Sequence, residues 1–250
     1  TWLRGVRYIA LPTSLLAMVD ASVGGKTGIN LSAGKNLVGA FYEPFTVIGD
    51  LDFFETLPDS ELRSGMAEVL KCGFSADPEI LEEFEADPAE ALAPASDRQA
   101  KLIRRAVAVK ACAVSADLRE RTSDGGDIGR EALNYGHTLA HAIEHEEHFL
   151  LRHGHAVSIG MVFAAEVARL LGMIDDELVA RHRGVLEQAG LPTRYPDGAW
   201  LKLRDVMSLD KKARGSQLRL VLLEALGVPR IVTAPPEGVL ADAFLTMNEV

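Results

Sequence analysis

Before Asp59 the apolar residues fall in short runs broken by glycine and proline, and after it they follow helical spacing. The runs at about 6 to 11 and 46 to 50 read as strands, the first ending in the turn Pro12 Thr13 Ser14. Short strands among Gly-rich turns are a pattern of the α/β class. Downstream, helices are expected at about 60 to 76, 78 to 85, 98 to 117, 130 to 147, 155 to 172, 175 to 189 and 197 to 208. A β-hairpin at 217 to 224 and 228 to 233 and a last helix from about 237 close the chain. Ala86 to Ser96 is an Ala/Pro-rich connection, and Arg121 to Gly129 a polar, Gly-rich loop. The change of pattern near residue 58 divides the chain into 1–58 and 59–250.

Composition narrows what such a chain does. With 250 residues, 48% of them apolar and 25% charged, it can bury a proper core as one large domain or two smaller ones. A net charge of −10 excludes nucleic acid and anionic membrane as partners, because both require basic patches. Cys72 and Cys112 have no metal or redox spacing and are expected as small buried residues in a reducing cytosol. No apolar run reaches 18 residues and no signal peptide is evident, so a cytoplasmic location is expected. The chain opens on Thr1 and runs directly into a strand, which reads as the middle of a protein.

Six of the seven histidines lie between His137 and His155. On a helix turning about 100° per residue, His137, His141, His145 and His148 share one stripe. Imidazole is the commonest ligand for zinc-like ions and the commonest acid/base group near pH 7. Glu144, Glu146 and Glu147 make a solvated His/Glu face the alternative for the distal half. Two imidazoles on one helix cannot close a tetrahedral site, so a third ligand must come from elsewhere. Glu68 and Lys71, three apart on an apolar helix, would each be costly to bury alone. Together Glu68, His137 and His153 have the composition of a catalytic zinc site, two imidazoles and one carboxylate with a position left open. The stretch from Val19 to Asn30, with Gly24, Gly25, Lys26 and Gly28, resembles half of a phosphate loop, but it lacks the Walker A spacing, which disfavours an ATPase.

These motifs, with Leu11 Pro12 Thr13 Ser14, Gly34 Lys35 Asn36, Thr56 Leu57 Pro58, Lys110 to Asp117, Asn134 Tyr135 Gly136 His137 and Asp210 Lys211 Lys212, resemble the 3-dehydroquinate synthase family of sugar-phosphate cyclases across essentially the whole chain. The resemblance implies an α/β plus all-α fold, in which the remnant of an N-terminal Rossmann-like NAD-binding domain precedes a mainly helical metal and substrate domain. It implies NAD and Zn²⁺ (or Co²⁺) as cofactors, a sugar-phosphate substrate, and a homodimer at full length. Glu68, His137 and His153 are then the metal ligands, and His141 handles phosphate and protons. Asp20, Lys71, Glu120 and Asn134 address sugar hydroxyls and water, while Lys110 and Arg130 hold a carboxylate. Lys26, Asn36, His141 and Lys211 or Lys212 surround the phosphate. Thr13, Ser14, Lys26, Lys35 and the segment Phe53, Phe54, Glu55 and Thr56 match positions that contact NAD. The implied reaction converts 3-deoxy-D-arabino-heptulosonate 7-phosphate to 3-dehydroquinate and phosphate. A related cyclase acting on sedoheptulose 7-phosphate and a non-catalytic metal-binding module are the alternatives. Burying Lys110 and Arg130 without a substrate carboxylate would leave two cations unpaired, which favours the heptulosonate. The chain departs from the family pattern at His155, where a glutamate is usual, and in the extra residues 121–129.

Overall fold

In the computed structural model, which describes residues 3, 5–31, 34–116, 129–214 and 217–249, the first strands are short. β1 (Ile9–Ala10) pairs in parallel with β4 (Thr46–Val47). Between them lie a π-helical turn, Ala17–Ala21, and an antiparallel hairpin of β2 (Lys26–Leu31) and β3 (Gly34–Phe41). A 3-10 turn, Leu51–Glu55, leads into the helical part.

The helices follow as α1 (Asp59–Ser75), α2 (Glu79–Ala86), α3 (Pro88–Leu92) and α4 (Asp97–Ala116). A second 3-10 turn, Gly129–Asn134, precedes α5 (His137–Glu146), α6 (His153–Leu170), α7 (Asp176–Gln188) and α8 (Trp200–Arg214). The hairpin β5 (Arg219–Ala225) and β6 (Val228–Thr233) and α9 (Glu237–Thr246) complete the order. Local chemistry sets several of these boundaries. Pro78 disfavours helical geometry at Asp77, so α1 stops just before it. The Asp87 carboxylate accepts from the Glu90 amide and Pro88 supplies a preset φ, which starts α3. The Asp175 carboxylate caps α7 by accepting from the Leu178 amide at 2.9 Å.

α6 is the central element. It is largely apolar, every residue from Ala156 to Ala168 is buried, and it packs on α1, α5, α7, α9 and β5. Two glycines let the neighbouring helices approach it. A Cβ on Gly154 would stand 1.9 Å from the Ser64 carbonyl of α1, and one on Gly160 would stand 2.0 Å from the Gly136 carbonyl before α5. Only the missing side chains allow α6 to approach α1 and the start of α5 this closely. No helix among the described residues is long and apolar enough to cross a membrane.

The fold departs from the sequence expectations at particular points. The helix expected over 130 to 147 is broken, because Gly136 adopts φ +77° and starts α5 afresh. α5 ends at Glu146 and His148 has φ +50°, so the stripe of four histidines is a stripe of three. The Gly-rich stretch expected as a phosphate-type loop divides into the π-helical turn and a strand in which Gly28 faces Gly39. The last long helix runs to Arg214 and takes in Lys211 and Lys212. Cys112 is exposed rather than buried, while Cys72 is buried as expected.

Candidate active site

Three elements converge where α1, α5 and α6 meet. Glu68 lies in the middle of α1, His137 is the first residue of α5 and His153 the first of α6. One ligand atom from each lies within 4.8 Å of the other two. Glu68 is 3% exposed, and its two oxygens have different surroundings. Oε2 accepts from Lys71 Nζ at 2.5 Å. Oε1 is buried without a hydrogen-bond partner and stands 3.6 Å from His137 Nε2 and 3.5 Å from His153 Nε2. Those separations are long for hydrogen bonds. They are close to the roughly 3.3 Å edge of a tetrahedron whose metal–ligand bonds are about 2.0–2.1 Å. An orphaned carboxylate oxygen facing two imidazole nitrogens at that spacing fits a divalent cation.

The imidazoles are oriented for that role by their other nitrogens. His137 Nδ1 donates to the Tyr135 carbonyl at 3.1 Å, and His153 Nδ1 to the Glu144 carboxylate at 3.1 Å. Burial, followed by the Lys71 charge, holds the His137 pKa well below its ordinary value, so its Nε2 is free of a proton at neutral pH. Burial also pulls His153 down, but the hydrogen bond to Glu144 and the negative charges of Glu144 and Glu68 outweigh it and raise the pKa to about 9. A cation binding there displaces that proton. Burial alone would raise the Glu68 pKa; Lys71, His153 and His137 reverse this and keep the carboxylate ionised.

Around this trio the other sequence candidates divide into groups. Lys71, Lys110 and Arg130 are buried. Lys110 Nζ donates to both the carbonyl and the carboxylate of Asp20, in the π-helical turn. Gly24 packs so closely that a Cβ there would meet Val114 of α4 and, at 3.5 Å, Arg130 Nη2. The 20–24 turn is thus held between the cations of α4 and of the Gly129–Asn134 turn, and Asn134 is half-buried at the end of the latter. His141 is exposed on α5 with its ring 5.4 Å from that of His137, and Lys26 is exposed on β2. Lys35 and Asn36 lie in β3, and Lys211 and Lys212 in α8. Glu120 lies outside the described residues.

Lys110 already has a carboxylate partner in Asp20, so its burial does not by itself call for a substrate carboxylate. Of the segment matched to nucleotide contacts, Phe54 is buried in the core, whereas Phe53, Glu55 and Thr56 on the same turn are exposed. Thr13 is exposed, and Ser14 Oγ accepts from the Ala17 amide at 3.3 Å, capping the turn that carries Asp20. Sequence reasoning missed Glu144, expected on a solvated face and found buried against His153. The signal was present: seven residues is nearly two helical turns, so Glu144 lies on the same face of α5 as His137. Among the described residues, His155 is not part of the three-ligand cluster.

Comparison with known proteins places the whole chain in one family. A family model described as 3-dehydroquinate synthase N-terminal matches residues 1–64, and one described as 3-dehydroquinate synthase C-terminal matches residues 65–213. The chain belongs to the 3-dehydroquinate synthase family. A relative named 3-dehydroquinate synthase, from Thermobifida fusca (strain YX), is 56% identical over 250 residues, which is all of this chain and 66% of the relative. The chain thus spans about two thirds of the length of such family members. The 2-epi-5-epi-valiolone synthase of Streptomyces hygroscopicus subsp. jinggangensis 5008, solved with NAD⁺ and Zn²⁺ bound, matches with a TM-score of 0.89 at 25% identity, over 98% of this chain and 67% of that one. A 2-deoxy-scyllo-inosose synthase complexed with carbaglucose-6-phosphate, NAD⁺ and Co²⁺ matches with a TM-score of 0.78 at 28% identity, over 93% of this chain and 64% of that one. The mixed α/β, largely helical architecture of this family member is therefore shared with these two synthases.

Proposed function

We propose that the protein acts as a 3-dehydroquinate synthase, converting 3-deoxy-D-arabino-heptulosonate 7-phosphate to 3-dehydroquinate and phosphate. The observation that carries the chemistry is the orphaned Glu68 Oε1 facing His137 Nε2 and His153 Nε2, in a chain 56% identical to a 3-dehydroquinate synthase. Glu68, His137 and His153 hold a divalent cation, Zn²⁺ or Co²⁺, and residues 1–58 contribute to an NAD site through Thr13, Ser14, Phe53, Glu55 and Thr56. When bound, NAD supplies a reversible hydride acceptor and the cation a Lewis acid toward the substrate alcohol.

The chain's own residues do the remaining work. Lys71 keeps Glu68 ionised, so the site presents a full carboxylate. Lys110 holds the Asp20 carboxylate, whose remaining acceptor positions can take a sugar hydroxyl. Arg130, buried beside the 20–24 turn, offers the planar donor fork suited to a carboxylate. His141, exposed one helical turn beyond His137, can exchange a proton with a departing phosphate. Phosphate release from the heptulosonate phosphate, with and without NAD⁺, tests the reading on a polypeptide of the family's full length. Arg130→Ala should reduce turnover by on the order of a hundredfold, as expected when a buried charged partner is lost. Faster turnover of sedoheptulose 7-phosphate, or indifference to Arg130→Ala, would move the assignment to a cyclase of neutral sugar phosphates.

A further inference from the structure

We propose that Glu144 is a positioning residue for the metal site and acts through His153; the inference rests on reading Glu68, His137 and His153 as cation ligands. α5 brings two functional groups to the start of α6. His137 opens the helix, and Glu144, about two turns later on the same face, meets His153. The Glu144 carboxylate is buried beneath the protein surface and accepts from His153 Nδ1 at 3.1 Å, on the ring edge opposite to the one that faces Glu68. It is not itself one of the three converging ligand groups.

The physical consequence is specific to one ligand. An imidazole that coordinates through Nε2 must carry its neutral-form proton on Nδ1, and an acceptor at Nδ1 fixes that tautomer and the ring orientation. His137 achieves this with a neutral acceptor, the Tyr135 carbonyl of its own turn. His153 has a charged acceptor from another helix. A carboxylate strengthens the donor character of the ring more than a carbonyl does, so His153 is the better electron donor of the pair and Glu144 the group that makes it so. The same bond ties α5 to α6 where Gly154 seats α6 on Ser64, donating its amide to Ser64 Oγ at 3.1 Å.

Zn²⁺ titration of the metal-free protein against a chromophoric chelator tests this. Glu144→Gln, which keeps the shape and removes the charge, should weaken Zn²⁺ binding by about 10- to 100-fold. Glu144→Asp, which keeps the charge on a shorter arm, should recover part of the loss. Glu144→Gln placed in a His153→Ala background should cost nothing further, an outcome that a merely structural role would not give. Zn²⁺ binding by folded Glu144→Gln within twofold of the parent overturns the proposal, as does a full additive loss in the His153→Ala background. Should Glu144→Gln not fold, Glu144→Asp decides: weaker Zn²⁺ binding at an unchanged melting temperature supports the proposal, and unchanged binding overturns it. Glu68→Gln and His137→Ala run in parallel. Loss of metal in those two with none in Glu144→Gln overturns this proposal alone, whereas retention of metal in all three overturns the metal reading with it.

Discussion

Residues 5–58 and the body formed by α1, α5 and α6 stand in contrast. The first region leaves Val6, Ile9, Leu11, Ile29, Val38, Phe41, Phe45, Ile48 and Phe53 exposed, and its strands pair only two at a time among the described residues. The second buries not only its apolar side chains but also Glu68, Lys71 and Glu144. Charges are buried only where they are compensated, so a cluster of buried ions carries its own explanation in its partners. Exposed residues carry no such record. The proposed metal site therefore rests on contacts within this chain, while the proposed nucleotide contacts at Thr13, Phe53, Glu55 and Thr56, all on the surface, rest on the family resemblance.

The contrast can be broken most forcefully at Lys71. Lys71→Met leaves Glu68 buried without its nearest cation and should cost about 3–5 kcal/mol in urea unfolding of the metal-free protein. Saturating Zn²⁺ should shrink that loss to less than half, because the cation takes over the compensation. An equal loss with and without Zn²⁺ would separate the pair from the metal site.

Next in size is an acid effect at His182 of α7. Its ring stacks on Phe74 with centroids 3.7 Å apart, Nε2 accepts from Tyr135 Oη at 2.9 Å, and Nδ1 donates to the Leu178 carbonyl at 2.7 Å. Burial, partly offset by the Leu178 hydrogen bond, depresses its pKa from 6.5 to about 4. Below about pH 6.5 the unfolded chain gains a proton that the folded chain refuses. Stability should then fall by about 3 kcal/mol between pH 6.5 and 4 and level off below. The parent should lose that much more than His182→Gln over this range in urea midpoints, and parallel pH profiles would contradict the assignment.

Gly154→Ala should cost about 1–3 kcal/mol and weaken the metal, since its Cβ would run into the Ser64 backbone and push His153 away from Glu68. A melting temperature and Zn²⁺ affinity equal to the parent's would contradict the close seating of α6. At the small end, Val38→Ser on the exposed hairpin should change stability by no more than about 0.5 kcal/mol. A larger loss by the same unfolding assay would place Val38 in a packed interface and blur the contrast.

Much of the helical body was legible in the sequence. Apolar spacing located α1, α2, α4, α6 and α7 to within about two residues, and the β5–β6 hairpin almost as closely. The three candidate ligands could be picked out because few residue types ligate zinc. What was hidden depended on contacts between elements. Gly136 breaks the expected helix because its carbonyl meets Gly160, a neighbour 24 residues away. Glu144 reads as solvent-facing beside Glu146 and Glu147, and only the approach of α6 buries it. Lys110 reads as a free cation until the π-helical turn brings Asp20 against it. The Gly24 to Gly28 stretch reads as a loop until β3 pairs with its second half.

The most direct test of the central claim is the X-ray absorption fine structure of the Zn²⁺-loaded protein. A shell of nitrogen and oxygen only at about 2.0–2.1 Å, with the scattering of two imidazoles, is the predicted result. A sulfur shell at about 2.3 Å, or an imidazole count other than two, would contradict it.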